Sequence, residues 1–180
     1  MRRAGMILFI NGPFGVGKTS VARVLVEKIP NAMLYDPEVS GSALRRVLGP
    51  VKKADDFQDY VLWRKLVVAV ACILRAVSAR TLVVPMTVWR RDYFDPNIAG
   101  LRRVDPDLRC FRLTASKDEL VRRISSDSED TGARGWRMSH AEVCIDVFKD
   151  SVFGVEVRTD SLAAAEVAGQ ILQSVGTPTS

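Results

Sequence analysis

The sequence predicts an α/β protein, a three-layer α/β/α sandwich on a five-stranded parallel sheet, and three observations lead there. Short apolar runs alternate along the chain with longer stretches of helical periodicity. The first of them, Met6–Asn11, is continuous, as a strand covered on both faces must be. The first run passes into a helix through a glycine-rich loop, the junction that such sheets use to face their ligands.

Met6–Asn11 (MILFIN) reads as the first strand, and Lys18–Lys28 as a helix stopped by Pro30. Ala32–Tyr35 is a short second strand ending in Asp36–Pro37. Helices are expected over Ser42–Leu48 and Gln58–Val77, the second dense enough in apolar positions to be mostly buried. Thr81–Pro85 and Leu108–Thr114 are the third and fourth strands. Ser116-x-x-Glu119 is a capping box opening a helix over Lys117–Ile124. The polar stretch Ser125–Gly135 reads as a mobile loop, and Ser139-x-x-Glu142 as a second box starting a helix to about Lys149. Val155–Arg158 is the fifth strand, and Asp160 or Ser161 caps a last helix to Ser174, with Gly176–Ser180 frayed. One domain over residues 1–180 is expected, with a lid segment around 116–137.

Composition agrees with a globular domain: 180 residues, 47% hydrophobic and 26% charged. The longest apolar stretch, Val61–Val77, carries Arg64, Lys65 and Arg75 and falls short of the ~20 apolar residues of a membrane span. Arg2 and Arg3 before an apolar run resemble a signal peptide, but the run ends in the glycine loop with no cleavage site, so a cytoplasmic protein is expected. Cys72, Cys110 and Cys144 have neither disulfide nor metal-ligand spacing and read as reduced thiols, and His140 cannot build a zinc site alone; its expected place is the first turn of a helix. The net charge of +5 is spread through arginine pairs along the whole chain, so no nucleic-acid surface is expected.

Gly12-Pro13-Phe14-Gly15-Val16-Gly17-Lys18-Thr19-Ser20 contains G-x-x-x-x-G-K-[ST]. Glycines let successive backbone N–H groups turn inward onto phosphate oxygens, and the following helix adds its positive end. Lys18 then reaches the β- and γ-phosphates and Thr19 offers its hydroxyl to Mg²⁺, so ATP and Mg²⁺ are the expected ligands. No N-K-x-D motif marks a GTPase, and the third strand ends Val84-Pro85-Met86-Thr87, without the acid a motor ATPase needs. The layout suits a compact small-molecule kinase. Asp36, at the end of the second strand, is the candidate to orient or deprotonate an acceptor hydroxyl, and to hold Mg²⁺ through water; otherwise Asp before Pro is a turn residue. Thr87 is the polar group left at the end of the third strand. Arg122, Arg123, Arg134 and Arg137 flank the lid, where a guanidinium serves a transferring phosphate; a solvated helix face is the alternative. Thr159 and Asp160, after the fifth strand, are expected near the adenine, as cofactor contacts or as a plain cap.

Several stretches in order resemble the ATP-binding tunicamycin-resistance proteins: FINGPFGVGKT, YDPE at Tyr35–Glu38, GSALRR at Gly41–Arg46, DDFQDYVLWR at Asp55–Arg64, VVPMT at Val83–Thr87, TASKDELVRRI at Thr114–Ile124 and RTDSL at Arg158–Leu162. The resemblance implies an ATP-binding protein that protects against tunicamycin, a nucleoside antibiotic with a fatty-acyl tail, by phosphorylating a drug hydroxyl or by ATP-dependent capture without chemistry. It draws attention to Gln58 and Arg64, with Arg46 behind them, as contacts for a sugar or uracil, the alternative being capping and surface ion pairs. Trp63, Trp89 and Phe57 are candidates to stack on a base or line an acyl groove, though such residues are more often core. Monomer, homodimer and peripheral membrane contact all stay open.

Overall fold

The computed structural model describes residues 5–39, 41, 57–127 and 134–176. Five strands form one sheet: β1 (Ile7–Asn11), β2 (Ala32–Leu34), β3 (Thr81–Pro85), β4 (Arg109–Thr114) and β5 (Val155–Arg158), in the order β2-β3-β1-β4-β5. Every pairing is parallel, with Phe9 level with Val84 on one side and with Cys110 on the other. All five strands therefore end at the same edge, and the glycine loop leaves its centre.

Six helices are described: α1 (Lys18–Lys28), α2 (Val61–Val77), α3 (Arg91–Val104), α4 (Lys117–Ser126), α5 (Arg134–Val147) and α6 (Ala164–Val175). Side chains alternate across β1 and so split the core in two. Leu8 and Ile10 pack with Val21 and Leu25 of α1 and Ile171 and Leu172 of α6. Ile7 and Phe9 pack on the opposite face with Trp63 and Val67 of α2 and Phe94, Ile98 and Leu101 of α3. This is the expected three-layer sandwich.

The differences lie in the helices. The sequence reading places no helix between β3 and β4, where the structure has α3 across Asp95-Pro96-Asn97 and Gly100, residues that locally disfavour a helix. Pro96 does remove one helical hydrogen bond from α3. Burial of Phe94, Ile98 and Leu101 at helical spacing outweighs that loss. Gln58 belongs to a 3₁₀ turn, Phe57–Asp59, and α2 starts at Val61. The Ser139 box is not a cap: α5 begins at Arg134, and Ser139 Oγ donates inside the helix to the Trp136 carbonyl at 2.9 Å. His140 accordingly lies one turn further in than expected. Asp160 and Ser161 do not cap α6, whose N-cap is Ala163, its N–H donating to Glu166 Oε2 at 2.7 Å. Asp160 instead accepts the Ser116 N–H at 2.8 Å, occupying the place that the Glu119 carboxylate has in a full capping box. The helix expected over Ser42–Leu48 lies outside the described residues. Among the described residues no helix is long and apolar enough to cross a membrane.

Candidate active site

The loop after β1 has φ of +150° at Gly12 and +78° at Gly15. A Cβ on Gly12 would stand 2.7 Å from the Leu113 carbonyl oxygen, and one on Gly15 would stand 2.7 Å from Ile124 Cγ1, so only glycine fits either place. Gly17 is the N-cap of α1 and no side chain caps that helix, which leaves its first amides open to an anion. Lys18 folds back over the loop and donates from Nζ to the carbonyls of Gly12 (3.1 Å) and Pro13 (2.9 Å). Burial lowers its pKa from 10.5 to about 8, against the opposing pull of Glu38, the largest of the nearby charges that raise it. Arg137 pushes the same way as burial, and Asp36 pulls more weakly than Glu38. Thr19 and Ser20 are exposed on the first turn of α1, whereas Val16 is buried.

Opposite Lys18 stand the residues after β2 and β3. Asp36 Oδ1 accepts the Glu38 N–H at 2.9 Å, closing the turn in which Pro37 begins a helical segment over residues 37–39. Glu38 Oε1 in turn accepts the Thr87 N–H at 3.4 Å. Gln58, 4% exposed, donates from Nε2 to the Thr87 carbonyl at 2.8 Å, so its amide serves the wall of the cleft. Asn11, fully buried, accepts the N–H groups of Gly12 and Val88 and donates to the Val88 carbonyl at 3.0 Å. It pins the glycine loop to the segment after β3. Arg64 donates to the Gln58 carbonyl and lies 4.1 Å above the Tyr93 ring. Trp63 is core, and its Nε1 donates to the Pro37 carbonyl at 3.0 Å. Arg46 and the Phe57 side chain lie outside the described residues.

Helix α5 closes over this cleft. Trp136 meets Phe14 of the loop edge-on, with ring centroids 5.0 Å apart, and stacks on His140 at 4.3 Å. His140 in turn faces Trp89, 6.4 Å away. Arg137 pairs with Asp127 at 2.7 Å, and Arg134 donates to the Asp127 carbonyl. The sequence reading did not single out Trp136 or Glu38; the first is hidden in a stretch read as loop and helix start, the second in an Asp-Pro turn.

On the other side of the loop lies a cavity of about 530 Å³, lined by Gly17, Ser20, Glu119, Arg123, Thr159 and Leu162 among others. Arg123 ties its walls together, donating to the Val16 carbonyl (3.0 Å), Thr159 Oγ1 (3.1 Å) and the Thr159 carbonyl (2.8 Å). Arg122 is exposed and pairs with Glu119, and the hydrogen bonds from Arg122 and Arg123 hold the Glu119 carboxyl down at about 2. Asp160 is spent on Ser116 and does not line the cavity.

No family model and no curated protein sequence matches the chain. Solved structures do. The tunicamycin resistance protein of Deinococcus radiodurans matches with a TM-score of 0.81 at 24% identity, over 98% of this chain and 99% of that one. A shikimate kinase from Bacteroides thetaiotaomicron matches at 0.68 and 16% identity, over 95% and 98%. A gluconokinase from Sinorhizobium meliloti 1021 matches at 0.65 and 19% identity, over 97% and 94%. Likeness at these identities is likeness of architecture, and it shows that the chain has the fold of the P-loop small-molecule kinases.

Proposed function

We propose that the protein is an ATP-dependent small-molecule kinase whose acceptor is a nucleoside-like compound, tunicamycin being the first to try. The observation that carries this reading is the placement of Lys18, between an uncapped helix N-terminus and the carboxylates of the Asp36–Glu38 turn. ATP would lie with its phosphates on the loop Gly12–Thr19 and its base in the cavity lined by Arg123 and Leu162. Lys18 would exchange the Gly12 and Pro13 carbonyls for the β- and γ-phosphates, and Thr19 would offer its hydroxyl to Mg²⁺. Mg²⁺, when bound, would supply positive charge to the phosphate oxygens.

Across the cleft, Asp36 orients the acceptor hydroxyl and takes its proton as the oxygen forms a bond to the γ-phosphorus. The bond from that phosphorus to the ADP oxygen breaks. Arg137, whose charge is felt at Lys18, and Arg134 and Arg122 at the lid are the guanidiniums we assign to the moving phosphoryl group, Arg137 exchanging Asp127 for it, while Arg123 serves the nucleotide through the walls it joins. Arg64 and the Gln58–Thr87 wall bound the acceptor.

Mass spectrometry of tunicamycin after incubation with the protein and ATP–Mg²⁺ tests this, with Lys18→Ala as control. The expected result is a gain of one phosphate that requires Lys18. Unchanged drug that nonetheless binds tightly only with ATP would replace the kinase by ATP-dependent capture.

A further inference from the structure

The two ends of α5 are held in different ways. Its second half is core: Ala141 and Cys144 are buried, and so is Phe148 just past its end. Arg112 of β4 fixes that end, donating from Nη1 to the Phe148 carbonyl at 2.9 Å and from Nε to the Gly154 carbonyl at 3.1 Å. From Arg134 to His140 no residue is buried. That half is tied down by the ring contacts of Trp136 and His140, and by Asp127 at the end of α4. A segment with one buried end and one end held by polar contacts opens most easily at the second.

Asp127 Oδ2 accepts from Arg137 Nη1 at 2.7 Å, and the Asp127 carbonyl accepts from Arg134 Nη2. All three residues stand against the polarity of their helices. Asp127 is the C-cap of α4, at the partly negative end, where a carboxylate is repelled. Arg134 and Arg137 lie in the first turn of α5, at its partly positive end, and no acidic residue shares that turn. Each such placement costs about 0.3–1 kcal/mol, and local conflicts of this kind gather where function asks for them. The arrangement is also incomplete. Arg134 Nε is buried without a partner among the described residues. The Arg137 and Asp127 side chains are 16% and 28% exposed, and a pair so open to water contributes at most about 1 kcal/mol. A stronger competitor binds nearby on the proposed reading, since the charge of Arg137 is felt at Lys18. A triphosphate on the loop brings several charged oxygens, and a guanidinium takes such oxygens in pairs.

We propose that Asp127 is an autoinhibitory latch: without nucleotide its carboxylate engages Arg137 and its carbonyl Arg134, and ATP binds by drawing these guanidiniums away from it. The anchored end of α5 stays in place while the Arg134 end follows the phosphates. The proposal rests on the reading of Gly12–Thr19 as an ATP site.

The test is binding of a ribose-labelled fluorescent ATP analogue, titrated in Mg²⁺ against wild type, Asp127→Asn, Arg137→Gln and the double variant. Asp127→Asn binds about three- to fivefold more tightly than wild type, the effect of a part-exposed ion pair that no longer competes. Asp127→Ser, which removes the same carboxylate, gives the same gain. Arg137→Gln binds more weakly than wild type, and adding Asp127→Asn to it brings a gain of less than about 1.5-fold, because no pair is left to break. Weaker or unchanged binding by Asp127→Asn and Asp127→Ser would mean that Asp127 presents the arginines to the nucleotide. An equal gain in both backgrounds would mean that only a negative charge was lost. Either result overturns the latch. Failure of wild type to bind the analogue would instead overturn the ATP reading itself and this proposal with it.

Discussion

Lys18 is kept in the loop by two carbonyl oxygens while burial opposes its charge. Its folded pKa of about 8 lies below the ordinary 10.5, so between those values the unfolded chain binds more protons than the folded one. By linkage, the contribution of Lys18 to stability improves as pH rises across that window. Lys18→Met removes this slope. In urea unfolding of nucleotide-free protein, the variant should gain most relative to wild type below about pH 8, by roughly 1–3 kcal/mol, and lose that advantage towards pH 10.5. A difference that grows with pH would overturn the account. Asp36→Asn separates binding from chemistry: the amide still accepts the Glu38 N–H but cannot take a proton, so phosphoryl transfer should vanish while the ATP affinity read by fluorescence stays within about twofold. The phosphate loop was legible because its pattern fixes residue types at Gly12, Gly17, Lys18 and Thr19 at set spacing between a strand and a helix. Glu38 was not singled out, since the charge that matters at Lys18 depends on how a turn of three residues is closed, and no spacing rule carries that. Asn11 was read only as the last residue of a strand, yet its side chain spans 77 positions to Val88.

At the scale of elements, strands and helices differed in how openly the sequence declared them. All five strands were placed to within a residue or so; β1 and β3, buried throughout, are the continuous apolar runs expected of central parallel strands, whereas β2 and β5 at the edges are less buried. Helix α3 was missed because Pro96 and Gly100 are local signals, whereas the burial that holds the helix is tertiary. The start of α5 was misplaced by a capping pattern at Ser139, although Trp136 and the Asp127 contacts of Arg134 and Arg137 set it earlier. The Trp136–Phe14 contact joins α5 to the phosphate loop, and an aromatic pair of this geometry contributes about 0.5–1.5 kcal/mol. Trp136→Ala should therefore speed amide exchange along α5 by about 2- to 10-fold, with β1 amides unchanged, in hydrogen-exchange mass spectrometry. Uniform acceleration through the sheet would mean that Trp136 supports the whole fold.

For the whole molecule, occupation of the loop should register as stability. A ligand held only by the folded state at 100 times its dissociation constant adds about 2.7 kcal/mol. For a chain of this length that corresponds to a rise of roughly 5–10 °C in Tm with ATP–Mg²⁺, and to none in Lys18→Ala. Thermal scans with and without nucleotide read it directly. The resemblance carried by YDPE, DDFQDYVLWR and VVPMT meets a tunicamycin resistance protein among the matching structures, with the fold in common. The acceptor lay beyond what periodicity and composition encode, since residue types in a cleft wall do not name the molecule that fills it.

The strand order has a consequence for inheritance and for engineering. With β1 in the middle, residues from the turns after β2 and β3 face one side of the phosphate loop, and residues from α4 and the turn after β5 face the other. On the proposed reading, donor and acceptor ends thus belong to separate stretches of the gene. Exchanging the stretch around residues 57–90 for that of another protein with the same strand order should, on the proposed reading, retarget the acceptor while largely keeping ATP binding. The seam to watch is His140 of α5 against Trp89, where a graft and its host would have to be matched to each other.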